Sequence, residues 1–305
     1  MRLLTRSDFD GLICAVLLKE AGVMDSWSFV HPKDVQDGAV KVTENDILAN
    51  VPYAPGCGLW FDHHASEQER LGRTFTFKGA SQAAPSCARV IWDYYGGSAK
   101  FPRKYDEMLR YVDKCDSANL TADEVERPTG WVLLSFIMDP RTGLGRFQDF
   151  HISNYQLMER MIDWCRTMAV EEILALPDVK ERVERYHAHD AVFREMLRQR
   201  AAAQGNVVVL DLRDRDEIPA GNRFLLYSMH PQCNVSVQVI WGKQRQNVVL
   251  TVGHSITNRT CKADVGSLML KHGGGGHRQV GTCQVAADQA DKVLGDVVAA
   301  LRADG

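Results

Sequence analysis

Three observations predict an α/β fold in two parts. Short apolar runs alternate with helical patterns through the first half, a charged stretch free of glycine and proline separates the halves, and strand-like runs dominate beyond Gly205. Strands buried on both faces and interleaved with helices imply a mainly parallel sheet in the first part. The length of 305 residues suits about two domains at roughly 150 residues each. In order, Met1–Thr5 reads as a strand and Gly11–Ala21 as a helix. Ser26–His31, Asp46–Val51 and Gly58–Phe61 read as strands, and Ala83–Tyr95 and Tyr105–Val112 as helices. Pro128–Trp164 is mixed and mostly helical, and Val179–Ala203 is a helix linking the domains. Then VVVLDL, FLLYSM, VSVQVI and NVVLTV read as strands. A helix, the glycine run Gly273–Gly276, the strand QVGTCQV and a closing helix Ala287–Leu301 follow. The predicted boundaries are residues 1–178, a linker helix at 179–205, and a smaller α+β domain at 206–305.

Apolar residues make up 45% and charged residues 25% of the chain, which excludes a disordered or fibrous protein. The net charge is -3, from 36 basic and 39 acidic residues, with no dense basic stripe. A protein tracking a long nucleic acid needs such a stripe, so any nucleic-acid substrate is short. No apolar run is long enough to span a membrane, and the start turns polar too early for a signal peptide. The expected location is the cytoplasm. The eight cysteines form no C-x-x-C pair and read as reduced thiols.

The candidate chemistry sits where strands end. Asp8-Phe9-Asp10-Gly11 follows the first strand, and residues two apart in extended backbone point the same way, so both carboxylates face one crevice. Alone, the motif also reads as a turn or helix cap. Asp62-His63-His64 follows the strand Gly58–Phe61 and offers oxygen and nitrogen ligands suited to Mn²⁺, Fe²⁺ or Zn²⁺. Adjacent histidines cannot both enter one site from extended backbone, so one ligates or contacts substrate while its neighbour steadies a ligand. Asp113 and Asp116, three apart, share a helical face, with a charged helix end as the plain alternative. The run Gly273–Gly276 with His277 and Arg278 carries an entropic cost that is tolerated where backbone must approach a ligand. The tract Asp139–Phe147 has turn chemistry and two arginines. It reads as a loop, with contact to substrate or a partner subunit as the alternative.

An early D-x-D, a mid-domain Asp-His-His and a late GGGH together resemble the DHH phosphoesterase superfamily with its DHH-associated C-terminal domain, and among its members most closely the exopolyphosphatase-related group. The resemblance covers nearly the whole chain. It implies an N-terminal parallel-sheet DHH domain, a smaller C-terminal domain, and a cleft between them. It implies metal ligation by Asp8, Asp10, His63 and one of Asp113 and Asp116, with Asp62 and His64 lining the same site. Asp62 is carried both as a metal ligand and, with His64 and Arg6, as a catalytic group. Substrate would be held by Gly274, Gly275, Gly276, His277, Arg278, Arg259 and Asn50.

Two positions depart from the family pattern. Arg6 stands where many relatives have a histidine, and Asn50 where they have a bridging aspartate. Arginine stays protonated and cannot ligate. Losing one divalent cation removes two positive charges, and these two exchanges restore both. Arg6 is therefore expected to replace one metal as a phosphate clamp. The alternative is a second metal site rebuilt with His31 or Asp46. The implied activity is metal-dependent hydrolysis, by attack of metal-bound water, of a small phosphoester: a short oligonucleotide, a dinucleotide or a nucleoside bisphosphate. A nucleotide-binding protein with little hydrolysis, and an exopolyphosphatase, are the rivals. Mn²⁺ is the expected ion, with Mg²⁺, Fe²⁺ and Zn²⁺ as further candidates. No long nucleic acid and no membrane is expected as a partner. Many relatives dimerise, which makes a homodimer a further expectation of the resemblance.

Overall fold

The structure, a computed structural model, describes residues 1–64, 67, 70, 71 and 76–304. The chain divides into two units. The first comprises Met1–Leu120 and Pro128–Tyr186, and the second comprises Thr121–Arg127 and the chain from His187 onward.

In the first unit, strands β1 (Arg2–Thr5), β2 (Ser26–Phe29), β3 (Asp46–Ala49), β4 (Leu59–Asp62) and β5 (Gly79–Ser81) form a sheet of order β2-β1-β3-β4-β5. Every described pairing is parallel. The register aligns Thr5 with Phe29 and Ala49, and Ala49 with Phe61. All carboxyl ends therefore emerge on one edge, and the order reverses between β1 and β3, which is where open α/β sheets bind ligands. β5 was not expected, because Gly79-Ala80-Ser81 has no branched or aromatic residue to signal a strand.

Helix α1 (Phe9–Glu20) is buried on all sides from Phe9 to Leu18. It packs against α2 (Cys87–Tyr94) and α5 (Asn154–Thr167), with α3 (Tyr105–Asp116) and α4 (Gly130–Met138) completing this layer. Leu12, Leu17 and Leu18 have no exposed surface, and each such burial contributes about 1.5–3 kcal/mol. A charge at Leu17 would unseat α1 and the loop that enters it. Gly11 is required by close approach, since a Cβ there would lie 2.0 Å from the Arg6 carbonyl oxygen.

Helix α6 (Pro177–Arg200) runs from the first unit into the second. It ends where Ala201–Gln204 (β6) turns at Gly205 and pairs antiparallel with β7 (Val207–Asp211). The second unit carries the sheet β10-β11-β9-β8-β7-β6, with β8 at Val235–Trp241, β9 at Val248–His254, β10 at Gly275–His277 and β11 at Val280–Val285. Only β7–β8 is parallel among the described pairings. Val235, Val237 and Val239 alternate inward with Val248, Leu250 and Val252. They pack on Val265 and Met269 of α8 (Val265–Leu270) and on Val297, Val298 and Leu301 of α9 (Ala290–Ala303).

The segment FLLYSM is not a strand: Leu225–Met229 is the short helix α7. Just before it, Asn222 accepts the Phe224 amide at 3.0 Å while donating to the Val125 carbonyl. Tertiary contacts override an apolar run that is ambiguous in isolation. His189 of α6 is tied to the chain before α7, its Nδ1 accepting the Ala220 amide at 3.2 Å.

Candidate active site at the sheet edge

Four connections converge on the carboxyl edge of the parallel sheet: the loop after β1, Asn50 after β3, Asp62-His63-His64 at the end of β4, and the last turn of α3. The Asp10 carboxylate is wholly buried and accepts the first two amides of α2, Cys87 at 2.9 Å and Ala88 at 2.8 Å. The amino end of a helix favours such an anion. His63 donates from Nδ1 to the Ala84 carbonyl at 3.1 Å, which fixes its tautomer and turns Nε2 inward. That Nε2 is buried without a hydrogen-bond partner among the described residues. It lies 3.3 Å from Asp116 Oδ2 and 3.9 Å from Asp10 Oδ2.

Asp10, His63 and Asp116 thus present three ligand atoms within 4.8 Å of one another. With Nδ1 carrying the proton, the facing atoms are all acceptors, and they repel unless a cation or protons lie between them. Burial, followed by the charge of Asp8, pushes the Asp10 carboxyl up to about 7. Partial removal from water, followed by the charge of Asp10, pushes Asp116 up to about 7 as well. An orphaned imidazole nitrogen among mixed N and O donors fits a divalent first-row cation.

The other expected residues take different positions. Asp62, with no exposed side-chain surface, accepts His64 Nδ1 at 2.8 Å and the His64 amide at 3.3 Å. It thereby sets the His64 tautomer instead of joining the trio. Burial disfavours the His64 imidazolium, but Asp62, with Asp116 and Asp10 nearby, outweighs it and holds the pKa above its ordinary value. Asp8 caps α1 through the Gly11 amide, and its Oδ1 also accepts Asn50 Nδ2 at 3.1 Å. Its Oδ2 pairs with Arg6 Nε at 3.0 Å. Arg6 and Asn50, the two departures, therefore meet on one carboxylate. Asn50 is 3% exposed, in left-handed backbone at φ +56°, and is placed against Asp8 instead of toward a ligand. Such strain collects at functional sites.

Asp113 and Asp116 separate, though they share a helix. Asp113 accepts Ser86 Oγ at 2.7 Å and Arg89 at 2.6 Å, which ties α3 to the capped start of α2. Sequence reasoning missed this brace, although Ser86 before an apolar run is a legible cap signal. The proposed rebuilding of a second metal site fails at Asp46, which lies at the amino end of β3 in the grip of Arg2 at 2.7 Å and of Thr43. At His31, Nδ1 accepts the Lys33 amide at 3.2 Å and so caps the short helix Pro32–Gln36.

In the second unit, Gly275–His277 is an edge strand, and the glycine run has a packing reason. A Cβ at Gly274 would lie 2.1 Å from the Thr282 carbonyl oxygen, and one at Gly276 would lie 2.3 Å from that of Val280. The register pairs His277 with Val280, and Val280 with Gly253 near the end of β9. His277 and Arg278 therefore lie toward the sheet end from which the loop carrying Arg259 leaves, whereas Gly274, Gly275 and Gly276 lie further into the sheet, Gly275 level with Thr251; Arg259 Nε donates to the Ile256 carbonyl.

No helix among the described residues is long and apolar enough to cross a membrane. No protein-family model matches the chain, and no curated protein sequence does either. Among solved structures, the pGpG-specific phosphodiesterase PggH from Vibrio cholerae shares 50% identity, covers 100% of this chain and 99% of its own, and superposes with a TM-score of 0.84. An exopolyphosphatase-related protein from Bacteroides fragilis is more distant, at 10% identity, coverage of 98% and 91%, and a TM-score of 0.51. RecJ from Thermus thermophilus, solved with Mn²⁺, shares 15% identity over 98% of this chain and 51% of its own, with a TM-score of 0.56. The last two likenesses concern the fold alone. Full-length identity of 50% to a phosphodiesterase, on a parallel-sheet architecture shared with RecJ, makes this chain a member of the DHH phosphoesterase superfamily.

Proposed function

We propose that this phosphoesterase hydrolyses the internal phosphodiester of a linear dinucleotide of the pGpG kind, taking up one water and giving two mononucleotides. The observation that carries the substrate is the 50% identity, across the entire chain, to a pGpG-specific phosphodiesterase. Asp10, His63 and Asp116 hold one divalent cation, with Mn²⁺ as our choice. When bound, such an ion lowers the pKa of water and screens phosphate charge. Asp62 holds His64 so that its Nε2 can deliver a proton to the departing sugar oxygen, and the raised His64 pKa keeps that proton available near neutrality. Arg6, steadied by Asp8, faces the phosphate in place of a second cation. Asn50, also on Asp8, completes this neutralisation.

Gly274 to Arg278 and Arg259 are proposed to bind the remainder of the nucleotide. We place the protein in the cytoplasm, where its eight thiols suit a reducing compartment. The test is product analysis with Mn²⁺ on pGpG, other linear dinucleotides, short oligonucleotides, nucleoside bisphosphates and polyphosphate. Cleavage of pGpG to GMP, with polyphosphate intact, is expected. Cleavage of a bisphosphate or of polyphosphate with all dinucleotides untouched would overturn the reading.

A further inference from the structure

Arg141 is a cationic group of the first unit that the reading above does not use. Arg141 lies on the 3₁₀ turn Pro140–Thr142, just beyond α4, in the tract that the sequence presents as a loop. Its Nε donates to both Asp139 oxygens, at 2.8 and 3.1 Å, and its own amide donates to Asp139 Oδ1 at 2.8 Å. Asp139 therefore pins both the backbone and the root of the guanidinium. The terminal Nη1 and Nη2 make no hydrogen bond among the described residues, and the side chain is 55% exposed. Crowding works against the Arg141 charge, but Asp139, and then Asp8 and Asp116, outweigh it, so this cation lies within electrostatic reach of the site carboxylates.

Arg6 repeats the arrangement. Its Nε pairs with Asp8 at 3.0 Å, its Nη pair makes no hydrogen bond among the described residues, and its side chain is 39% exposed. Two arginines, each anchored through Nε, thus offer the outer edge of the guanidinium, where Nη1 and Nη2 can grip two phosphate oxygens at once. An exposed fork held rigid by its own aspartate gives up little side-chain entropy on binding.

We propose that Arg141 binds the terminal 5′-phosphate of a linear dinucleotide, while Arg6 and the cation trio take the internal phosphodiester. One fork then serves each phosphate. A terminal phosphate carries up to two negative charges near neutrality against one for a diester, and it offers three oxygens to such a fork. The residue would thus select dinucleotides bearing a 5′-phosphate over those lacking it. This inference rests on the proposed dinucleotide activity.

The experiment compares the full chain with Mn²⁺ on pGpG and on GpG, which lacks the terminal phosphate, for wild type, R141Q, R141K and R6Q. R141Q should raise KM for pGpG by about 10- to 100-fold, the loss expected for a charge-assisted bidentate contact. Its kcat, and its kcat/KM on GpG, should stay within about threefold of wild type. R141K should fall between the two, because it keeps the charge and loses the fork, and R6Q should impair both substrates. The melting temperature of R141Q should match wild type, as the side chain is exposed; if it does not, R141K decides. Equal losses on both substrates, or none on either, would refute the role of Arg141. A wild-type enzyme that leaves both dinucleotides intact would instead refute the proposed activity.

Discussion

Removing the cation should make the protein less stable as pH rises, and adding it should abolish that loss. Asp10 has no exposed side-chain surface, and its carboxyl titrates near about 7 in the metal-free chain against an ordinary 3.8. A raised folded-state value means that the folded protein keeps a proton the unfolded chain has released. The stabilisation is complete below the unfolded value and is lost as pH climbs through about 7. Between about pH 5.5 and pH 8 the chain moves through about 1.5 pH units below that value, so Asp10 alone costs about 2 kcal/mol. Asp116, raised in the same direction, adds to this. At roughly 2–4 °C per kcal/mol, the melting temperature of metal-free protein should fall by about 4–8 °C over that range. Asp10→Asn removes the titrating group and isolates its share from the background. Scanning fluorimetry of chelator-treated wild type and D10N, each with and without Mn²⁺, reads the effect. Wild type should fall more steeply than D10N without metal, and Mn²⁺ should flatten the wild-type curve. Parallel profiles for the two proteins, with no response to Mn²⁺, would refute the reasoning.

Asp62→Asn leaves His64 without its anionic anchor, and should lower kcat on pGpG by about 100-fold or more while sparing Mn²⁺ affinity; steady-state kinetics and metal titration check both halves. Gly11→Ala forces a methyl against the Arg6 carbonyl oxygen and should destabilise the fold by about 1–3 kcal/mol, measured by denaturant unfolding; an unchanged midpoint would show that the loop can shift. Asp113→Asn breaks the pairing with Arg89 and should reduce thermal stability without reducing bound Mn²⁺, which would place this residue with the scaffold. Loss of metal in that variant would return it to the ligand set.

Much of the site was legible because strand ends carry strong signals. The apolar runs before Asp8 and Asp62 place both motifs at a carboxyl edge, and the parallel register then brings them together. What the sequence left open was decided by tertiary partners. Nothing in the spacing of Asp113 and Asp116 reveals that Arg89 claims the first and leaves the second beside His63. Asp46 has the right chemistry for a ligand, but Arg2 and Thr43 hold it at the amino end of β3. The charge balance linking Arg6 with Asn50 could be argued from the family resemblance, whereas their meeting on Asp8 needed coordinates. FLLYSM misled because five apolar or aromatic residues suit either a strand or a buried helix, and only tertiary partners such as Asn222, which holds the Phe224 amide, decide between them.

The most direct test is the amount of manganese bound per chain, measured by elemental analysis after dialysis, in wild type and in His63→Ala. One ion per wild-type chain and none in the variant is the expected result. Two ions per wild-type chain, or equal occupancy in both proteins, would contradict a single site built on Asp10, His63 and Asp116.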